Sequence, residues 1–241
     1  MTTTGTSTFN LDLNDLVEEA FERCGSELRT GYDLRTARRS LNLLTIEWAN
    51  RGINLWTIEQ GQLTLHTGVA TYDLPVDTID LLDQVIRTNA GSASNQTDIN
   101  ISRISESTYS TIPNKLTTGR PVQVWINRQS GATTPTGVNF PQVTVWPTPN
   151  APDAQYTFVY WRLRRINDAG DGVNTQDIPF RFLNAMVAGL AYYLSIKLPN
   201  IPLERITGLK ADYEQQFQLA ADEDREKAPI RFVPRNMSYT R

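Results

Sequence analysis

The stretch IPFRFLNAMVAGLAYYLSIKL, Ile178 to Leu198, decides the fold. Phe182, Leu183, Met186, Val187, Leu190, Tyr193 and Leu194 recur in it at helical spacing and make a wide apolar face. At 1.5 Å per residue such a helix runs about 30 Å. Asp177 can cap it, Pro179 fits its first turn, and Pro199 ends it. Gly189 sits inside, where glycine costs about 1 kcal/mol, so close helix–helix approach is the expected compensation. A helix this apolar needs partners to cover it.

The partners lie at both ends of the chain. After Pro202, Leu203, Ile206, Leu209, Tyr213, Phe217 and Ala220 form one face of a further helix, which ends in the mixed-charge run 222–227. Near the start, Leu13, Leu16, Val17, Ala20, Phe21 and Cys24 follow helical spacing, and Gly25 offers a C-terminal cap. A second early helix is expected from Asp33 as N-cap, with the stripe Leu34, Ala37, Leu41, Leu44 and Trp48 and a stop at Gly52. Arg35, Arg38 and Arg39 lie on it, with Arg35 and Arg39 on one face. They read either as a solvated surface or as a partner-facing basic helix that meets acidic groups or phosphates.

Between the helical pairs the periodicity changes. Residues 62–65, 70–74, 84–87, 121–126, 142–146 and 156–161 read as strands separated by Gly- and Pro-rich turns. The alternation of Val122, Val124 and Ile126 implies one wet and one buried face. Residues 88–119 contain 16 Ser, Thr or Asn and are expected to form a long loop with a short helix near 106–112.

The fold class that follows is α+β. A four-helix bundle is formed by the N- and C-terminal segments, with an inserted antiparallel β-sandwich or barrel-like module and an extended C-terminal arm. The expected divisions are 1–57 for the first helical half, behind a polar N-terminal arm, and 58–175 for the β-rich insert. Residues 176–227 make the second helical half and 228–241 the arm. The two prolines of the arm disfavour helix, and it carries three arginines and no acid. Ile230, Phe232, Val233, Met237 and Tyr239 make it too apolar for a simple solubilising tail. It reads as a strap on its own domain or as an arm docking onto another chain.

The 241 residues carry a net charge of −3 and a pI near 5.3, unlike a general nucleic-acid coat. A single cysteine, Cys24, excludes an internal disulfide, and a single histidine, His66, excludes a two-histidine metal site. No secretory signal or membrane-length apolar run occurs. His66 reads as a surface residue, since no Gly-x-Ser-x-Gly elbow accompanies it. P-loop and dinucleotide fingerprints are missing, and Gly170-Asp171-Gly172 reads as a turn. Asp168, Asp171 and Asp177 do not match a calcium loop. No catalytic, cofactor or metal residue is nominated. Five tryptophans (Trp48, Trp56, Trp125, Trp146 and Trp161) leave open an alternative, a carbohydrate- or cell-wall-binding or hydrolysing protein using the β-module.

One combination carries more weight than any single motif. Residues 37–42 (ARRSLN) lead to 47–56 (EWANRGINLW), then to 68–75 (GVATYDLP). Asn114-Lys115 precedes Gly119-Arg120-Pro121, residues 145–149 read VWPTP, and the Asp177-Ile178-Pro179 helix pair follows. Over about residues 10–235 this pattern resembles the head-to-tail adaptors of short-tailed bacteriophages, the tail tubular protein A type. The resemblance implies a structural virion protein of the tail or neck, made in the host cytoplasm and without catalytic activity. It implies a ring, typically of twelve copies, between the portal protein and the tail nozzle protein. Double-stranded DNA would pass through its channel without sequence-specific binding, and no membrane would be involved. The arm, with Arg231, Phe232, Val233, Pro234, Arg235, Tyr239 and Arg241, would then reach the portal or a neighbouring subunit.

Overall fold

A computed structural model describes residues 3–28, 31–52, 55–128, 133–134, 137–138, 140–152 and 155–225. In chain order, α1 (Leu13–Cys24) and α2 (Gly31–Asn50) precede β1 (Ile58–Thr64), β2 (Thr71–Asp73), β3 (Thr78–Thr88), β4 (Thr97–Asn100) and β5 (Ser102–Ile104). Next come α3 (Glu106–Ser110), β6 (Thr118–Gly119), β7 (Gln123–Asn127), β8 (Thr133–Thr134), β9 (Gly137–Val138), β10 (Gln142–Trp146), β11 (Thr148–Pro149) and β12 (Tyr156–Arg164). A 3-10 turn, Phe180–Phe182, leads into α4 (Leu183–Ser195), and α5 (Leu203–Glu223) follows. The protein is thus mixed α and β. It divides into two compact units, residues 1–41 with 180–241 and residues 42–179.

In the first unit, α4 packs against α1 and against α5. Residues 185–191 of α4 are buried without interruption, so this helix has no wet side along its middle. α1 buries all six residues of its apolar stripe. Asp12 caps its start by accepting the Asp15 N–H at 2.9 Å. Gly25 ends it at φ +79°, with its N–H on Glu22 O and the Ser26 N–H on Phe21 O, a left-handed cap that favours glycine. Tyr213, Phe217 and Ala220 are the buried residues of α5, and the Tyr213 ring stacks on Tyr192. The front of its expected apolar face differs: Leu203 is 78% exposed, and Ile206 and Leu209 are half-buried. α2 begins at Gly31, so Asp33 lies in the first turn and not at the cap. Its Ala37 and Leu41 are fully buried, as are Leu44 and Trp48 further along the same helix, which count with the second unit.

In the second unit, two four-stranded sheets in the orders β1-β12-β3-β4 and β2-β10-β7-β5 share one core. Leu81, Ile86, Phe158 and Tyr160 enter it from the first sheet, and Val124, Ile126, Val143 and Val145 from the second. Each of the six expected strands is present, several of them longer than expected. Val122 falls just outside β7 and is exposed, so the buried alternation starts at Val124. The sheets are largely antiparallel, but β5 pairs with β7 and β6 with β11 in parallel. The segment between β5 and β7, which holds α3, is long enough for the crossover that a parallel pair requires.

The expected long loop at 88–119 is a correction. It contains β4, β5, α3 and β6. Its polar composition misleads because β4 and β5 each lie at one edge of their sheet, where much of the surface meets water. The short helix was legible: Ser105 caps α3 by accepting the Thr108 N–H.

Candidate interaction surfaces

The basic helix face lies on the first half of α2. Arg35, Arg38 and Arg39 are all exposed there, while Ala37 and Ser40 between and beside them are buried. Ser40 donates back to Thr36 O at 3.0 Å and accepts a hydrogen bond from Lys197 Nζ at 2.7 Å. Partial shielding, and then the nearby Arg39 charge, hold the Lys197 ammonium below its ordinary value. Lys197 therefore belongs to this cationic surface although it is 158 positions from Arg39 in the chain. No local pattern in the sequence signals it.

A second surface in the same unit is a groove of about 1090 Å³ lined by the N-terminal arm, α1 and α4. Leu183 and Val187 lie buried beneath it, while Phe9 and Phe180 are 77% and 79% exposed beside it. Asp15, Glu18, Glu19 and Glu22 line it from α1. Glu19 is bonded by Arg23 Nε at 2.9 Å, and Arg23 also donates to Asn184. Among the described residues nothing pairs with the carboxylates of Asp15, Glu18 or Glu22.

Arg205 clamps the end of α1. Its Nε and Nη2 donate to Arg23 O at 3.2 and 2.9 Å, and its guanidinium lies across Gly25. Cys24, next to it, donates from Sγ to Ala191 O at 3.0 Å. Burial pushes the thiol up to about 11 against the opposing Arg205 charge, so it is a packed, protonated group at neutral pH.

The polar centre of the second unit was invisible in the sequence. Arg162 donates to Asp77 at 2.6 Å and to Glu59 at 2.8 Å, and Arg164 donates to Glu59 at 2.6 Å and to both oxygens of Asp177. Both arginine side chains are 12% exposed. Bonding to Asp177 and Glu59 raises Arg164 further above its ordinary value against the effect of burial. Asp177 is therefore occupied here and is not the cap of α4, whose N-cap position is Phe182 with no side-chain cap. Asp80 makes a smaller bridge, accepting from Arg103 at 2.8 Å and from Arg128 at 3.2 Å. These ion pairs link strands to one another and to the segments beside them.

The remaining candidates for chemistry are placed as follows. His66 is exposed, and its backbone N–H donates to Tyr72 Oη. Asp171 and Asn174 close a turn around Gly170-Asp171-Gly172. Trp48 is buried, Trp56 and Trp146 donate to backbone carbonyls, and Trp125 stacks on Tyr109 at 5.1 Å. Each of these four tryptophans is thus buried, hydrogen-bonded or stacked. Among the described residues no group of three or more His, Cys, Asp or Glu side chains is placed to hold a metal ion. Among the same residues no helix is long and apolar enough to cross a membrane. The arm residues Arg231, Phe232, Val233, Pro234, Arg235, Tyr239 and Arg241 lie outside the described residues.

The surfaces the first unit offers for contact are a cationic helix face and a groove with carboxylates along α1 and an apolar floor. The family model described as SU10 adaptor protein matches residues 11–235, and the chain belongs to that family. Membership makes it a bacteriophage structural adaptor and a virion component associated with other head and tail parts. None of the curated proteins compared matches the chain.

Proposed function

We propose that the chain is the head-to-tail adaptor of its phage, a ring of twelve copies between the portal and the tail nozzle whose inner wall lines the DNA exit channel. The observation that carries this reading is the family match over 225 of 241 residues, from 11 to 235. In it, the helices from 1–57 and 176–227 act as one four-helix bundle that meets the portal, and the β-rich residues 58–175 meet the nozzle. The exposed Arg35, Arg38 and Arg39 suit an acidic partner surface. The C-terminal arm, with Arg231, Phe232, Val233, Pro234, Arg235, Tyr239 and Arg241, suits a groove that has both carboxylates and apolar floor. A mildly acidic chain suits a conduit, because tight phosphate binding would retard the DNA. The task is mechanical and involves no catalysis.

Co-sedimentation with portal rings of the same phage tests the reading. The intact chain is expected to travel with the portal, and a chain lacking residues 229–241 to bind it at least about tenfold more weakly. Equal binding by the truncated chain would contradict the role given to the arm.

A further inference from the structure

The acidic groove between the N-terminal arm, α1 and α4 has no occupant among the described residues, and its character is specific. It offers buried aliphatic floor at Leu183 and Val187, two exposed rings at Phe9 and Phe180, and the unpaired carboxylates of Asp15, Glu18 and Glu22. A segment that fits must bring apolar side chains interleaved with cations. Residues 227–241 of the chain have that composition: Ile230, Phe232, Val233, Met237 and Tyr239 are interleaved with Arg231, Arg235 and Arg241, and there is no acid among them.

Where the chain leaves α5 makes the match physical. Asp224, at the C-cap of that helix, is bonded by Arg181, the residue next to Phe180 of the groove. The Asp224 side chain is 1% exposed, and its Oδ2 has no partner among the described residues. The end of α5 is therefore tied by a side-chain contact to the residue that follows Phe180 of the groove. The 16 residues after Arg225 can extend about 50 Å, and α1 is only about 18 Å long. Reach is no obstacle.

We propose that in the free subunit residues 230–239 seat in this groove of the same chain, apolar side chains on Leu183, Val187, Phe9 and Phe180, and arginines on the α1 carboxylates. The seat holds the arm until a partner displaces it. This inference is independent of which partner that is, so a failure to bind portal leaves it intact.

Amide hydrogen exchange of the full chain, alone in solution, tests it. Amides of 230–239 are expected to exchange at least about tenfold more slowly than in a free peptide of the same sequence. That protection should be the same at low and high protein concentration. The double variant Glu18→Lys, Glu22→Lys, at two exposed positions, should return these amides to the free-peptide rate while the amides of α4 stay protected. Free-peptide rates in the unaltered chain would overturn the proposal, as would protection that survives the charge reversal. Protection that grows with concentration would assign the groove to a second copy's arm and overturn the seat within one chain.

Discussion

Arg164 grips Asp177 with both ends of its guanidinium, Nη1 on Oδ2 at 2.5 Å and Nη2 on Oδ1 at 3.0 Å, and the Asn167 N–H adds a third bond at 3.0 Å. The pair ties the end of β12 to the last residues of the second unit, just before the chain enters the 3-10 turn at Phe180. Trp56 donates to the backbone carbonyl of the same Asp177 at 3.0 Å. One aspartate thus fixes three segments of the second unit.

Replacing Asp177 with alanine leaves a largely buried Arg164 with Glu59 as its remaining carboxylate. Charge-assisted bonds of this kind contribute about 1.5–3 kcal/mol, and the expected loss is about 2 kcal/mol. Urea unfolding followed by tryptophan fluorescence measures it. A midpoint unchanged from the parent would show that Glu59 alone satisfies the arginine.

The same network predicts an acid limb of stability. Burial raises the Asp77 and Asp177 carboxyls, but the hydrogen bonds and charge of Arg162 and Arg164 outweigh it and hold both below the usual value of 3.8. A carboxyl depressed in the folded state contributes fully above its unfolded pKa and loses that contribution as pH falls through the lower folded one. Stability should therefore be flat above about pH 5 and fall below about pH 4. Asp177→Asn should flatten that fall, and an equally steep decline in the variant would place the cause elsewhere.

Gly25 is required twice over. Its φ is +79°, and a Cβ there would stand 2.5 Å from Arg205 Nη1. Gly25→Ala should lower stability by about 1–2 kcal/mol, through backbone strain and the displaced clamp on Arg23 O. Thermal unfolding reads the shift. Gly52 has the same φ with open space around it, so Gly52→Ala should cost only the backbone part. Equal losses at the two sites would remove the argument from the Arg205 contact.

Reversing the exposed charges of α2, Arg35→Glu with Arg39→Glu, should leave the unfolding midpoint nearly unchanged and weaken portal binding by about tenfold or more. The effect should shrink as salt rises. Undiminished portal binding would return this face to a solvated surface.

α1 was legible because its apolar stripe is complete, and α5 because Tyr213, Phe217 and Ala220 keep the helical spacing although the front of its stripe is not buried. The six residues spaced along α1 are the six it buries, and Gly25 ends it where the sequence places the stop. The strands were legible wherever one face is core, as at Val124, Ile126, Val143 and Val145. Two of the four edge strands were not, because Thr97–Asn100 and Ser102–Ile104 carry the polar composition of a loop, whereas the edge strands β1 and β2 keep enough apolar and β-branched residues to be read. Asp177 misled for a different reason. A carboxylate before an apolar helix is a good cap in isolation, but a bidentate bond to Arg164 is stronger than a bond to a backbone amide. The cationic surface was half legible: three arginines share one helix, whereas Lys197 joins them only through the packing of the first unit.

The central claim is a ring on the portal, and electron microscopy of the chain mixed with portal rings of its own phage tests it most directly. The account predicts an added ring of twelve copies, helical residues toward the portal and β-rich residues away from it. Portal rings that remain bare at micromolar adaptor concentration would contradict it.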